Sequence, residues 1–86
     1  IRREDGSWLI DGSVPIDRVK SLLLIAQDFP GEKNNSYHTL GGLVIHMLGR
    51  IPGETDHFQT MGYRFVVVDM DRNRIDKILV SPVADE

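Results

Sequence analysis

The sequence predicts an α+β fold in which two helices pack on an antiparallel sheet, with the elements in the order β-α-α-β-β-β. Two segments with apolar residues at helical spacing come early in the chain, and three runs rich in β-branched and aromatic residues come late. Because strands that follow one another through short turns pair antiparallel, these runs predict a meander whose face the helices can cover. The expected architecture is therefore a sandwich of two layers.

Short local signals predict the first strand and the first helix. The apolar run Trp8-Leu9-Ile10 is closed by Asp11-Gly12-Ser13, and this predicts a strand over residues 7–11. Pro15 suits the first turn of a helix, and apolar residues recur at helical spacing after it. We therefore expect a helix over residues 15–26.

The C-terminal end of this helix departs from a simple amphipathic pattern. Leu24 and Ile25 fall outside the apolar stripe, so either this end is buried on several sides or part of it contacts another domain. Residues 28–38 are rich in Pro, Gly, Asn and Ser without apolar periodicity, and they predict a loop.

The second helix is the element around which the others are expected to pack. Its apolar residues recur at helical spacing along one side, at positions 40, 43, 44, 47, 48 and 51. Thr39 can cap the first backbone N–H groups of this helix. Gly49 and Pro52 are residues that end helices, so the helix is predicted to end between residues 49 and 51.

The opposite side of this helix is a candidate contact surface. It carries small residues and one isoleucine, namely Gly42, Ile45, His46 and Gly49. In one interpretation, Gly41 and Gly42 only shape the first turn and Ile45 is an ordinary exposed residue. In the other, this flat side contacts a neighbouring domain or a second copy of the chain. Glycine weakens a helix by about 1 kcal/mol relative to alanine, so some contact is expected to compensate for this pair.

The remainder of the chain predicts three strands joined by turns. The strands cover residues 56–60, 63–68 and 74–80, with turns at residues 61–62 and 71–73. Ile75 lies three residues before Ile78, which breaks the alternation of a strand, so a β-bulge is expected near Asp76. The first strand is expected at an edge of the sheet or beside the last strand.

Composition limits the class of protein. At 86 residues, with 41% hydrophobic and 27% charged side chains, the chain is expected to form one domain. A net charge of −3 disfavours binding to nucleic acid. The lack of cysteine excludes disulfides and thiolate zinc sites and fits a cytoplasmic location. The apolar runs are too short to span a bilayer, and a chain that begins with Ile1 is expected to be a piece of a longer protein.

The sequence contains no motif for catalysis. Its serines lack a G-x-S-x-G setting and its glycines lack the spacing of phosphate-binding loops. We therefore expect no enzyme, no catalytic residue and no cofactor. His38, His46 and His57 lie in different segments without the spacing of metal ligands, and we interpret them as surface or loop residues.

One acidic segment is similar to the beginning of a calcium loop. Asp69, Asp71 and Asp76 are the candidate cation ligands, and a sensor of divalent cations or small ligands is the alternative function. The sixth position of such a loop should be glycine and is Arg74, and the twelfth should be glutamate and is Val80. A solvated hairpin turn is therefore the favoured interpretation.

Several short segments occur in a distinctive order. They are Asp5-Gly6-Ser7-Trp8-Leu9-Ile10-Asp11-Gly12, Thr39-Leu40-Gly41-Gly42-Leu43, Leu48-Gly49-Arg50-Ile51-Pro52, Gly62-Tyr63, Phe65, Arg74-Ile75 and Val80. Together they cover nearly the whole chain, and they resemble the transporter-associated domain at the C-terminus of CorC/HlyC-type proteins. One departure is Thr55-Asp56, where that family often has Gly-Asp, which leaves the form of that turn open.

The resemblance implies a fold related to the group of FAD-binding and transporter-associated domains, without implying a bound flavin. It also implies a non-catalytic accessory or regulatory module of an ion-transport protein with paired CBS domains, such as the magnesium and cobalt efflux and haemolysin-like proteins. The implied partners are the CBS domains of the same chain or a second copy of this domain. The implied location is the cytoplasm, with the parent protein at the inner membrane.

Overall fold

Two helices pack against a four-stranded antiparallel sheet in the computed structural model, which describes residues 6–83. The strands are β1 (Trp8–Asp11), β2 (His57–Thr60), β3 (Tyr63–Asp71) and β4 (Arg74–Pro82), and the helices are α1 (Ile16–Leu23) and α2 (Leu40–Leu48). A short 3₁₀ helix, Glu32–Asn34, lies between α1 and α2. The predicted class and element order are confirmed. No helix among residues 6–83 is long and apolar enough to cross a membrane.

The strands are arranged in the order β1-β4-β3-β2, so β1 lies at an edge and beside the last strand. Strand β1 therefore satisfies both expectations, since it is an edge strand and it pairs with the last strand. The bulge expected near Asp76 is also present, because Lys77 pairs with Asp69 while Ile75 pairs with Met70. A second irregularity, at Val68 on β3, was not predicted.

Helix α1 ends three residues earlier than predicted. Leu24 follows it with φ 58° and ψ 42°, the left-handed conformation that reverses the chain at a helix end. The N–H groups of Leu24 and Ile25 donate to carbonyls of the last turn, on Ser21 and Lys20. The expectation that this end is buried on several sides is wrong for Leu24, which is 91% exposed.

Helix α2 begins where its sequence signals indicated and ends at Leu48, one residue before the predicted range of 49–51. The placement of Ile51 on its apolar stripe is wrong, because Ile51 lies beyond the helix and is 53% exposed. The hydroxyl oxygen of Thr39 accepts a hydrogen bond from the Gly42 N–H at 3.2 Å. Gly49 adopts φ 74° and its N–H donates to the Ile45 carbonyl at 2.8 Å, which caps the C-terminal end.

The core lies between the helices and the face of the sheet that they cover. Its fully buried side chains include Phe29, Phe65, Leu40, Leu43, Ile78, Val19, Val44, Val67 and Val80. Phe65 is central, because its ring stacks on Phe58 with centroids 4.9 Å apart and meets the Phe29 ring edge-on at 6.0 Å. The loop between the helices therefore contributes a core residue, Phe29.

Gly12 lies where three backbone segments meet. Its N–H donates to the Asp76 carbonyl at 2.9 Å, and its carbonyl accepts from the Gly41 N–H at 2.9 Å. A β-carbon at Gly12 would lie 2.2 Å from the carbonyl oxygen of Ile75, which is too close for any side chain to be accommodated. The turn after β1 is therefore held between β4 and the first turn of α2, and only glycine fits there.

The turn before β2 keeps a conformation that suits glycine although a threonine occupies it. Thr55 has φ 76°, and its N–H donates to the Val67 carbonyl at 2.8 Å. The residue that departs from the family pattern therefore lies in the left-handed region, which is unfavourable for a β-branched side chain.

Candidate interaction surface

Packing from the loop between the helices covers part of the predicted contact side of α2. A β-carbon at Gly42 would lie 2.6 Å from the β-carbon of Tyr37. Tyr37 of the same chain therefore already occupies the space beside this glycine. The imidazole of His46 lies 5.4 Å from the Tyr37 ring, centroid to centroid, and also lies over Gly31. These contacts provide the compensation expected for a glycine early in α2.

Three of the four predicted residues on this side remain accessible, because His46 is exposed despite its contacts with Tyr37 and Gly31. Ile45 is 38% exposed, and Gly49 is exposed at the C-terminal end of the helix. The structure thus brings His46 and Gly42 together with Tyr37, and it leaves Ile45 as the apolar residue available to a partner. The role of these four residues in association stays a prediction.

A network of charged and polar groups holds the covering loop in place. The Lys20 ammonium lies 3.0 Å from carboxylate oxygens of both Asp28 and Glu32. Glu32 also accepts a hydrogen bond from the Phe29 N–H at 2.9 Å, and the Tyr37 hydroxyl donates to the Pro30 carbonyl at 2.5 Å. Hydrogen bonds to Glu32 and then Asp28 raise the pKa of Lys20. Burial raises the pKa of Tyr37, with a smaller contribution from the negative charge of Glu32.

The acidic residues proposed as cation ligands do not converge. Asp69 lies opposite Lys77 in the backbone register of β3 and β4, and Asp71 lies opposite Arg74. Asp76 lies at the bulge, where one carboxylate oxygen is 3.9 Å from the Lys77 ammonium. No three acidic or imidazole side chains within residues 6–83 are arranged to hold a metal ion. The three histidines likewise form no such group in the part of the chain that the structure describes.

The face of the sheet opposite the helices carries an aliphatic row that the sequence only partly indicated. Leu9, Leu79 and Val66 lie side by side on β1, β4 and β3, and each is half-buried. The Lys77 ammonium lies 2.6 Å from an Asp11 carboxylate oxygen at one end of the row. That hydrogen bond holds the pKa of Asp11 below its usual value. The alternation within residues 63–68 indicated a half-apolar second face, but the row itself depends on strand register.

Comparison with known families identifies one match, which spans almost the whole chain. The family described as "Transporter associated domain" (CorC_HlyC) matches residues 1–84. A Synechocystis protein named "UPF0053 protein sll0260" is 48% identical over 86 residues, covering all of this chain and 19% of the relative. The "Polyamine export protein" of Escherichia coli K12 is 45% identical over 83 residues, covering 96% of this chain and 18% of the relative. The chain thus spans about a fifth of the length of these relatives.

Similar solved structures include domains from several bacteria. A domain described as the transporter associated domain CorC_HlyC from a Xylella fastidiosa hemolysin, in complex with Mg²⁺ and Mn²⁺, is 43% identical with a TM-score of 0.84. The match covers 98% of this chain and 96% of that one. A transporter associated domain from a CBS domain protein of Porphyromonas gingivalis is 28% identical with a TM-score of 0.84, covering 98% and 97%.

Proposed function

Because this chain belongs to the CorC_HlyC family of transporter-associated domains, we propose that it is a non-catalytic accessory domain that regulates a larger transport protein. The observation that carries this proposal is that this chain matches about a fifth of the length of relatives named for polyamine export. In this proposal, the rest of such a protein carries out transport through the membrane. The name of those relatives points to export of small cations, a class that also includes magnesium and cobalt ions.

The proposed partners are the CBS domains of the same chain, with a second copy of this domain as the alternative. The description of the Porphyromonas gingivalis domain as part of a CBS domain protein supports the first choice. In this arrangement the domain lies on the cytoplasmic side of the inner membrane, where CBS domains contact it. The proposed contact includes the accessible end of α2, from Ile45 to Gly49.

Deleting the domain tests the regulatory role directly. A longer protein that carries this domain should still reach the membrane when residues 6–83 are removed, but its rate of cation export should change. The assay is efflux of a labelled polyamine or of Mg²⁺ from cells or proteoliposomes containing matched amounts of protein. An export rate that is the same with and without the domain, at several substrate concentrations, would contradict the proposal.

The Ile45 surface is tested with a charged substitution. Ile45→Asp should weaken association of the domain within the longer protein, because burying an unpaired carboxylate at a contact is unfavourable. Val68→Asp is the matched control, since Val68 is similarly exposed, at 41% against 38% for Ile45, but lies at the bulge of β3. Light scattering and chemical crosslinking measure assembly. Equal assembly of the Ile45→Asp and Val68→Asp variants would rule out this surface.

A divalent-cation or small-ligand sensor remains the second candidate. The Xylella fastidiosa domain, 43% identical to this chain, is described in complex with Mg²⁺ and Mn²⁺, and this favours testing cations first. Isothermal titration calorimetry with Mg²⁺, Mn²⁺ and Co²⁺, and with a nucleotide, separates the two functions. An accessory contact domain should give no heat, whereas a sensor using the β3–β4 hairpin should give heat that Asp71→Asn reduces.

A further inference from the structure

We propose that Leu24, the residue that ends α1, is a docking side chain that inserts into an apolar pocket with a basic rim elsewhere in the longer protein. The inference rests on the proposed accessory function, and it names a contact point that lies outside the α2 surface. Of the two residues that the sequence left open between burial and contact with another domain, Leu24 is exposed, whereas Ile25 packs against the core.

Leu24 stands apart from the other exposed apolar residues. Its side chain is 91% exposed, and the next most exposed large hydrophobic residue among those described is Ile51 at 53%. Single exposed leucines are common and carry little information by themselves. A second property of Leu24 distinguishes it from such residues.

That second property is the backbone conformation of Leu24. At φ 58° it lies in the left-handed region, where glycine is the usual residue at a helix end. The hydrogen bonds of this cap are made by the backbone alone, from the N–H groups of Leu24 and Ile25. Glycine would form the same cap without strain, so no contact among residues 6–83 explains a leucine here.

Other residues with positive φ do not share this combination. The remaining non-glycine examples among residues 6–83 are Asn35, Thr55, Met61 and Arg72. Three of these are polar, and Met61 is half-buried against the core. Within the described chain, Leu24 alone combines a large apolar side chain, a left-handed backbone and nearly full exposure. Such strain is retained where a function requires the side chain.

The charges around Leu24 indicate the chemistry of the partner. A shallow depression beside it is lined by Asp17, Lys20, Ser21, Leu24, Ile25 and Ala26. The charge of Lys20 is balanced by Asp28 and Glu32, and Asp17 forms no ion pair with any other residue between 6 and 83. The surface around Leu24 therefore carries net negative charge, which favours a partner pocket with lysine or arginine at its rim.

The same charges disfavour two other occupants. An anionic bilayer would be repelled by the acidic surround, although a leucine could enter its interface. A second copy that docked through this same patch would bring two negative surfaces together around a two-fold axis. The remaining four fifths of proteins such as the named relatives supply the more suitable partner.

The test measures binding of the 86-residue chain to the longer protein produced without this domain, by biolayer interferometry. Leu24→Gly should weaken binding by about tenfold or more, because it removes a leucine that becomes buried at the contact. The same variant should keep or raise the melting temperature of the free chain, since the strain at the cap is relieved. Asn35→Gly is the matched control, because Asn35 has φ 54° and is exposed but carries no apolar side chain. It should bind as the wild type does.

Leu24→Asn provides a second variant, because asparagine tolerates the left-handed conformation and removes the apolar group. Unchanged binding of both Leu24 variants, or no binding by the wild-type chain, would overturn the inference. Loss by Leu24→Gly of binding to phosphatidylglycerol vesicles, or of self-association alone, would also overturn it. If deletion of the domain alters export while both variants bind normally, the accessory function stands and only the Leu24 contact fails.

Discussion

Replacing Gly12 with alanine should be among the most destabilising single changes in this domain. The added methyl group would lie 2.2 Å from the Ile75 carbonyl oxygen, which is backbone and cannot rotate away. Forcing such a contact typically costs about 1–3 kcal/mol. It also strains the two hydrogen bonds that Gly12 makes to Asp76 and Gly41, each worth about 1 kcal/mol. The expected loss is therefore about 2–5 kcal/mol, against roughly 4–13 kcal/mol for the whole domain.

Urea denaturation followed by circular dichroism measures this loss. Gly53→Ala is the matched control, because a β-carbon there meets no atom within 4 Å and its φ is not positive. Alanine at such a position leaves stability unchanged or raises it by about 0.4–1 kcal/mol through the unfolded chain. If Gly12→Ala is as stable as Gly53→Ala, the close packing of the turn after β1 against β4 is not required, and the reasoning is refuted.

Two further predictions concern the turn before β2. Hydrogen bonding from Arg50 holds the pKa of Asp56 below its usual value, so the stabilisation is present above about pH 4 and is lost as pH falls through the folded-state value. Urea titrations at pH 7 and pH 3 should thus show a smaller acid-induced loss for Asp56→Asn than for the wild type; equal losses would contradict this. Thr55→Gly should raise the free energy of unfolding by about 1 kcal/mol, because it relieves the left-handed strain, and an unchanged midpoint would count against that strain.

Local sequence signals were sufficient for the capping residues of α2 and insufficient for the end of α1. Thr39 and Gly49 are residue types that cap helices through their own chemistry, so their positions could be interpreted without a structure. Leucine rarely adopts the left-handed conformation that Leu24 has, so residue propensities did not predict that the helix ends there. The helix ends at this left-handed residue, and the chain after it places Phe29 in the core.

The candidate surface was only partly accessible to sequence reasoning. Helical spacing identified Ile45 and Gly42 as lying on the side away from the apolar stripe. Whether that side faces solvent depends on Tyr37, which is brought over Gly42 by the fold of the intervening loop. Similarly, the irregular spacing of Ile75 indicated the bulge at Asp76. The second irregularity, at Val68, which has no partner in the β3–β4 register, could be identified only from the pairing of the two strands.

The sequence by itself determined the fold class and the order of the elements, because these depend on periodicities and caps that act over a few neighbouring residues. The order of its short motifs carried the resemblance to the family. Only the tertiary structure decided which surfaces remain open. It covered Gly42, exposed Leu24 and separated the three aspartates around the β3–β4 hairpin. The physical reason is that exposure and convergence depend on contacts between residues far apart in the chain, which no local pattern specifies.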